Sequence, residues 1–471
     1  MSDVPNFRKV LGLRDIVAMN IVAVVGLRWI SRSARLGAPA VTLWILAWAV
    51  FFLPLSAAVY ELSSRYPDQG GLYAWTRRAF GPLHGFVCGW CVWVNNLFYF
   101  PSLLLFVAAN VLVVAGPGAM HLADSRLFST VFVLGGLGFC LGLNLLGLGA
   151  GRWLQVLGSV ANWTPAFLLI LAGIVSLATV GSATSFAPHA LVPHEDVLGT
   201  VGLWSALCFA FSGFEVGGFV GQEVKNPRRT LPVGILISGV IVTVIYIAGS
   251  ASVLVALPVG ALSERSGIAD AVAMSGSHLG LAGLGAITGG LVALGALAGT
   301  HSWFGGAARV PFAAGVDRAL PPSFGRLDAR GTPRHALIAQ GVLSALIFLC
   351  SVFLSVAGGH TSIQEAYDIM VNLTILIYFI PYLYLFAALV RLRTMAAGVG
   401  DDQDRRVPGG RVGLWLVAAS GSIATAISLA LVFVPPPGTG SALNYEANLV
   451  GQAAIVLGVG FGLYRYSVGV R

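Results

Sequence analysis

Charge is what this sequence has least of. Only 10% of its 471 residues are Asp, Glu, Lys or Arg, while 57% are hydrophobic; a soluble domain carries about a quarter charged residues. That excludes an ordinary soluble protein. Cysteine is scarce too, and the five present (Cys88, Cys91, Cys140, Cys208, Cys350) all fall in apolar runs, so no disulfide framework follows. The Cys88/Cys91 pair has no second pair to complete a metal site, and neither metal nor cofactor is expected. Also missing are a Walker-type Gly-Lys-Ser/Thr loop and any recognisable grouping of nucleophile, base and orienting residue. Those gaps argue against a nucleotide-driven pump and against an enzyme. The N-terminus carries Arg8, Lys9 and Arg14 before a long apolar run without an A-x-A-like cleavage site, which reads as an uncleaved first helix.

What is abundant is apolar sequence. A hydrocarbon core about 30 Å thick needs roughly 20 apolar residues per helical crossing. Runs of that kind, bounded by Gly, Pro and charge clusters, begin near residues 15, 40, 82, 126, 152, 200, 231, 270, 334, 365, 411 and 444. They predict an all-α integral membrane protein of about twelve transmembrane helices with no sizeable soluble domain. The 60 glycines fit close helix packing in lipid, where small residues sit at interfaces.

The net charge of +8 is read as orientation rather than as a nucleic-acid footprint. With the N-terminus inside, 22 Lys and Arg fall on the inner side and only Arg28, Arg32, Arg35, Arg126 and Arg265 lie outside or within the membrane. The positive-inside rule then places both termini in the cytoplasm, for a multi-pass protein of the cytoplasmic (inner) membrane. The crossings starting near 82 and 270 are longer than one perpendicular span requires and are expected to tilt or protrude. Each is third in a group of five, a hint that residues 15–180 and 200–393 are repeats of opposite orientation. Residues 1–14 form a short cytoplasmic start, and 411–468 two additional C-terminal helices.

Inverted-repeat carriers bind solute near the bilayer midplane, where discontinuous helices expose backbone groups. Two stretches here have Gly beside a charge at mid-membrane: Val24-Val25-Gly26-Leu27-Arg28-Trp29-Ile30 in crossing 1, and Phe209-Ala210-Phe211-Ser212-Gly213-Phe214-Glu215 in crossing 6. Packing explains a lone intramembrane Gly. A charge at that depth, costing at least about 2.5 kcal/mol, points to a cavity or a partner. Arg28 cannot deprotonate and must meet water, an anion or a carboxylate. Either it clamps a substrate carboxylate, with Arg32 and Arg35 on the same helix face lining a vestibule, or it bridges to Glu215 and ties the two breaks together.

The crossing 6 stretch, followed by Gln222-Glu223-Val224-Lys225-Asn226-Pro227-Arg228-Arg229-Thr230-Leu231-Pro232, closely resembles the amino acid-polyamine-organocation permeases. Supporting matches are Glu61-Leu62, Arg65-Tyr66-Pro67 and Gly70-Gly71-Leu72-Tyr73-Ala74-Trp75 after crossing 2, Arg309 with Asp317 and Leu320-Pro321 after crossing 8, Thr332-Pro333 before crossing 9, and Val407-Pro408-Gly409-Gly410 before crossing 11. That last element looks most like the glutamate/GABA antiporter branch. The resemblance implies a leucine-transporter-like five-plus-five inverted repeat plus two C-terminal helices, and alternating access by movement of crossings 1, 2, 6 and 7 against a scaffold.

It also implies site residues. The substrate would be an amino acid or related amine, with backbone at Val25, Gly26, Leu27 and Arg28 holding the carboxylate. Carbonyls around Phe209, Ala210, Phe211, Ser212 and Gly213 would hold the amine. Phe209 falls where the family often has an aromatic lid, and Trp303 where some members place a tryptophan against substrate. Asn95, Asn96 and Tyr99 are candidate polar wall residues, with interhelical hydrogen bonding as the alternative. Two departures stand out. Gly26-Leu27-Arg28 replaces the family's usual Gly-Ser-Gly, which raises acidic substrates and lowers polyamines. Asn162 occupies roughly the place where some proton-coupled members carry Lys.

Three titratable residues remain. Glu215 is a candidate proton-sensing group, with the proton as candidate coupling ion. His301 either titrates near neutral pH or packs as a neutral ring. Asp368, near the outer end of crossing 10, either gates entry or sits at the water interface, the second being preferred. His189, His194, Glu195 and Asp196 lack tight ligand spacing and read as a solvated loop. A non-transporting amino-acid sensor, a polyamine permease and a passive channel are the competing readings.

Overall fold

The computed structural model of the protein describes residues 12–66, 71–147, 151–193, 201–214, 224–311, 320–328, 331–353, 362–395, 407–436, 439 and 441–469. Among these the regular elements are helices: α1 (Leu13–Val24), α2 (Leu27–Ala34), α3 (Pro39–Arg65), α4 (Leu72–Phe80), α5 (Pro82–Ala115), α6 (Arg126–Leu145), α7 (Arg152–Thr179), α8 (Trp204–Ala210), α9 (Pro227–Ala256), α10 (Gly267–His278), α11 (Leu284–Ala307), α12 (Arg334–Phe353), α13 (Ile363–Met395), α14 (Gly410–Leu431) and α15 (Ala442–Gly469). Ten are long and apolar enough to cross a membrane. The two expected crossings outside that set begin near 15 and 200, and they are the two that break.

Local chemistry sets the boundaries. Proline occupies the first turn of α3, α5 and α9, where its missing N–H costs nothing. Crossing 8 departs from its expected single long helix. Gly280, at φ +73, stops α10 in a Schellman-type cap, with Leu281 N–H donating to Gly276 C=O at 2.8 Å and Gly280 N–H to Ser277 C=O at 3.2 Å. The chain restarts as α11. Crossing 3 does run long: the 34 residues of α5 span about 51 Å at 1.5 Å per residue, well beyond the hydrocarbon thickness.

α5 and α13 form the buried centre, packing on each other and, for α5, on α11. Glycine lets the helices approach closely. A Cβ on Gly158 of α7 would lie 2.1 Å from the Ala298 Cβ of α11, and one on Gly295 of α11 would lie 3.0 Å from the Ala161 carbonyl oxygen. α6, α7, α14 and α15 carry the exposed apolar side chains, such as Leu127, Val131, Phe167, Val412 and Val459. A face of that composition is suited to lipid rather than water.

Candidate functional site

Crossing 1 breaks at Val25 and Gly26, both in extended conformation (φ −65, ψ 102 and φ −108, ψ 107). Glycine is required there by its neighbour: a Cβ at Gly26 would sit 2.7 Å from the Trp29 indole. In crossing 6, α8 stops at Ala210. Phe211 and Ser212 fold back through N–H donations to the carbonyls of Cys208 (3.1 Å) and Phe209 (2.8 Å), and Gly213 takes a positive φ of 106°. Residues 215–223, with Glu215 and any Arg28–Glu215 bridge, lie outside the described residues.

One side chain joins the two breaks. The Tyr246 hydroxyl, from α9, accepts from Gly26 N–H at 3.1 Å and donates toward Val24 C=O (2.8 Å) and Ala210 C=O (3.2 Å). Its ring stacks on Trp44 of α3 at 4.5 Å. Asn162 of α7 donates from Nδ2 to Val25 C=O at 3.4 Å. Backbone groups freed by the broken helix are thus satisfied by side chains, as a low-dielectric interior demands.

Arg28 is the second residue of α2, 1% exposed. Its Nη1 donates to Ser102 Oγ at 3.0 Å, and its guanidinium carbon lies 4.3 Å from the Trp29 ring centroid and 4.5 Å from that of Tyr99. Its Nε and Nη2 are buried without a hydrogen-bond partner. Among the described residues no carboxylate pairs with it. Tyr367 of α13, whose buried hydroxyl also lacks a partner, is close enough to interact electrostatically with the guanidinium. Phe209 meets Trp29 edge-on at 5.3 Å and packs against Tyr378 and Phe379.

One turn further along α2, Arg32 is equally buried, with both Nη nitrogens engaged and its Nε without a partner. It donates to Glu264 (2.7 Å), Asp368 (2.9 Å) and Asn372 (3.1 Å). Arg35 closes on the other Glu264 oxygen. Burial opposes ionisation of Glu264, but Arg32 and Arg35 together hold its carboxyl below the ordinary range. Asp368 is therefore a buried ion-pair partner, 6% exposed, and not the interfacial residue its place near a helix end suggested. Its Arg arrives from a segment that hydropathy treats separately.

Asp368 and Arg393 stand near opposite ends of α13, about 38 Å apart along the helix. At the Arg393 end, Glu61 of α3 accepts from Val407 N–H at 2.7 Å. It also pairs with Arg65 at 3.4 Å and Arg393 at 3.3 Å. These two ends are called below the Arg32 end and the Glu61 end.

Other predicted residues sit elsewhere. Asn95 and Asn96 donate back to carbonyls of their own helix, Cys91 and Val92. Trp303 is half-buried against the core. His301 faces α6, its Nδ1 3.0 Å from Asn144 Nδ2, and lies so close to Gly151 that a Cβ there would fall 1.9 Å from Nε2. Tyr246, Ser102, Tyr367 and Glu264 were not picked out from the sequence. A hydroxyl or carboxylate inside or beside an apolar run is the signal they offered.

A profile described as Amino acid permease matches residues 11–461. The chain belongs to this family. A permease of this superfamily has the leucine-transporter-like membrane fold, into which the ten long helices and two broken ones fit. The permease is 28% identical to an uncharacterized transporter of Legionella pneumophila subsp. pneumophila, over 91% of this chain and 90% of the relative. It is 25% identical to a probable agmatine/putrescine antiporter of Lactococcus lactis subsp. lactis, over 74% and 72% of the two chains. A glutamate/gamma-aminobutyrate antiporter of the same organism is 23% identical, over 83% and 77%. The permease is a multi-pass membrane transporter for a small molecule.

Proposed function

We propose that this permease carries an amino acid bearing a carboxylate across the cytoplasmic membrane by alternating access. The observation that supports this best is the pair of broken helices meeting at Tyr246, with Arg28 directly beside the break. Backbone at a helix break, together with the first N–H groups of α2, which lack partners within their own helix, suits a carboxylate. Phe209 over Trp29 is placed to cover such a solute. Residues 15–180 and 200–393 serve as the inverted halves, and 411–468 as an addition.

With the positive-inside orientation, both termini lie in the cytoplasm and the Arg32 end faces out. The conformer is then one whose outer path is closed by Arg32, Glu264 and Asp368, linking the mobile crossing 1 to crossing 10. Exchange fits better than proton symport, because Asn162 carries an amide that neither binds nor releases a proton where some relatives use Lys. Counterflow in proteoliposomes tests the reading. Preloaded L-glutamate should drive saturable uptake of labelled L-glutamate, and Arg28→Ala should abolish it. Flux that rises without saturation would mark a channel, and ligand-induced stabilisation without counterflow a sensor.

A further inference from the structure

The two adjacent arginines of α2 differ in one respect. Arg32 has two carboxylates and an amide around it, while Arg28, just as buried, has one neutral hydroxyl and two bare nitrogens. The way Arg28 is held decides which edge is free. Trp29 and Tyr99 lie against the guanidinium through cation–π contact, and Nη1 is committed to Ser102. What remains is the in-plane Nε–Nη2 edge, two parallel donors spaced for the two oxygens of one carboxylate.

Acceptors at the break are in the opposite condition. The carbonyls of Val24 and Ala210 receive the Tyr246 hydroxyl, Val25 receives Asn162, and Phe209 receives the Ser212 N–H. An ammonium arriving at these four carbonyls gains second lone pairs of oxygens already in use. It also approaches a buried positive charge that no described carboxylate offsets. A carboxylate gains two unused donors and neutralises that charge.

Building on the transporter reading above, we infer that the substrate is a net anion whose carboxylate pairs with the Nε–Nη2 edge of Arg28, and that its ammonium group is dispensable. Acidic amino acids and their amine-free analogues are then ligands, and diamines are not. Arg28 is the specificity-determining residue.

The test uses the full-length wild-type protein, purified, with L-glutamate, 2-oxoglutarate, putrescine and agmatine as probes. Each is assayed for thermal stabilisation and for competition with labelled L-glutamate in counterflow. L-Glutamate and 2-oxoglutarate should stabilise and compete, and the two diamines should do neither at a hundredfold excess. Arg28→Lys, which keeps the charge and loses the fork, should weaken both anions about a hundredfold. The wild-type selectivity stands as a test even where that variant fails to fold.

Putrescine or agmatine counterflow with the anions inert overturns the anion site and leaves the transporter reading intact; an internal Arg28–Glu215 bridge produces that result. Binding of L-glutamate but not 2-oxoglutarate overturns the dispensable amine alone. Stabilisation by both anions without counterflow of any probe supports the anion site and overturns the transporter reading.

Discussion

The Arg32 end and the Glu61 end of the bundle both carry buried carboxylate–arginine clusters, but they close with different firmness. Arg32 makes three aligned contacts of 2.7–3.1 Å to groups on two other segments. Glu61 meets Arg65 and Arg393 at 3.3–3.4 Å, and the Arg393 nitrogen lacks hydrogen-bond geometry. It also takes a short contact of 2.7 Å from a backbone N–H, that of Val407. A buried ion pair repays its desolvation only with good geometry and satisfied hydrogens. In the contacts described, the Arg32 end comes nearer that condition, with the Arg32 Nε left over, than the Glu61 end does. On the alternating-access reading, the contacts described hold the Arg32 end more tightly than the Glu61 end, so the Glu61 end should open first.

Glu264→Gln gives the strongest way to break this asymmetry. It removes one of the two carboxylates on Arg32, leaving Asp368 and Asn372, and takes the charge from the Arg35 pair, so the closed state should lose about 3 kcal/mol, read as a lower apparent Tm in detergent. Next comes Glu61→Gln. An amide oxygen still accepts from Val407 N–H, so roughly 1–2 kcal/mol should be lost; a loss equal to that of Glu264→Gln removes the asymmetry.

Acid sharpens the comparison further. Because the folded-state pKa of Glu264 is depressed, its stabilisation is present above the unfolded value and disappears as pH falls through the folded one. The Glu264 contribution to the wild-type Tm should therefore persist through the ordinary carboxylate range and be lost only below it. Glu264→Gln should lack that contribution to the drop, and a pH titration of both proteins checks it. Smallest is Arg265→Ala. Its partner Asp124 is 79% exposed, and a solvent-screened pair is worth at most about 1 kcal/mol. With the Nη1 donation to the Ala123 C=O (3.1 Å) lost as well, a small Tm drop is expected.

Much of the fold was legible in the sequence, because span length and charge bias are properties of composition. The starts near 82, 126 and 334 coincide with α5, α6 and α12. The stop at Gly280 was legible in principle and hidden by the apolar run around it. Both breaks were visible as Gly beside a charge, and Arg28 as the residue needing an explanation. Its surroundings were not visible. Glu264 and Asp368 lie 232 and 336 positions from Arg32, and a hydropathy pattern carries no information on which distant helices adjoin. Asp368 near a helix end therefore looked interfacial. Tyr246 was hidden for a related reason, since one hydroxyl barely alters the apolarity of a thirty-residue helix.

That hydroxyl has a mechanical consequence. A single oxygen, with one proton to give, is pinned to the backbone of crossing 1 on both sides of its break and to crossing 6 at its own. On the alternating-access reading the two discontinuities are hinges, and neither swings without unseating the atom that secures the other. Tyr246→Phe should leave a folded permease whose hinges run out of step. The defect would then be slippage, with solute leaking down its gradient without the return cargo.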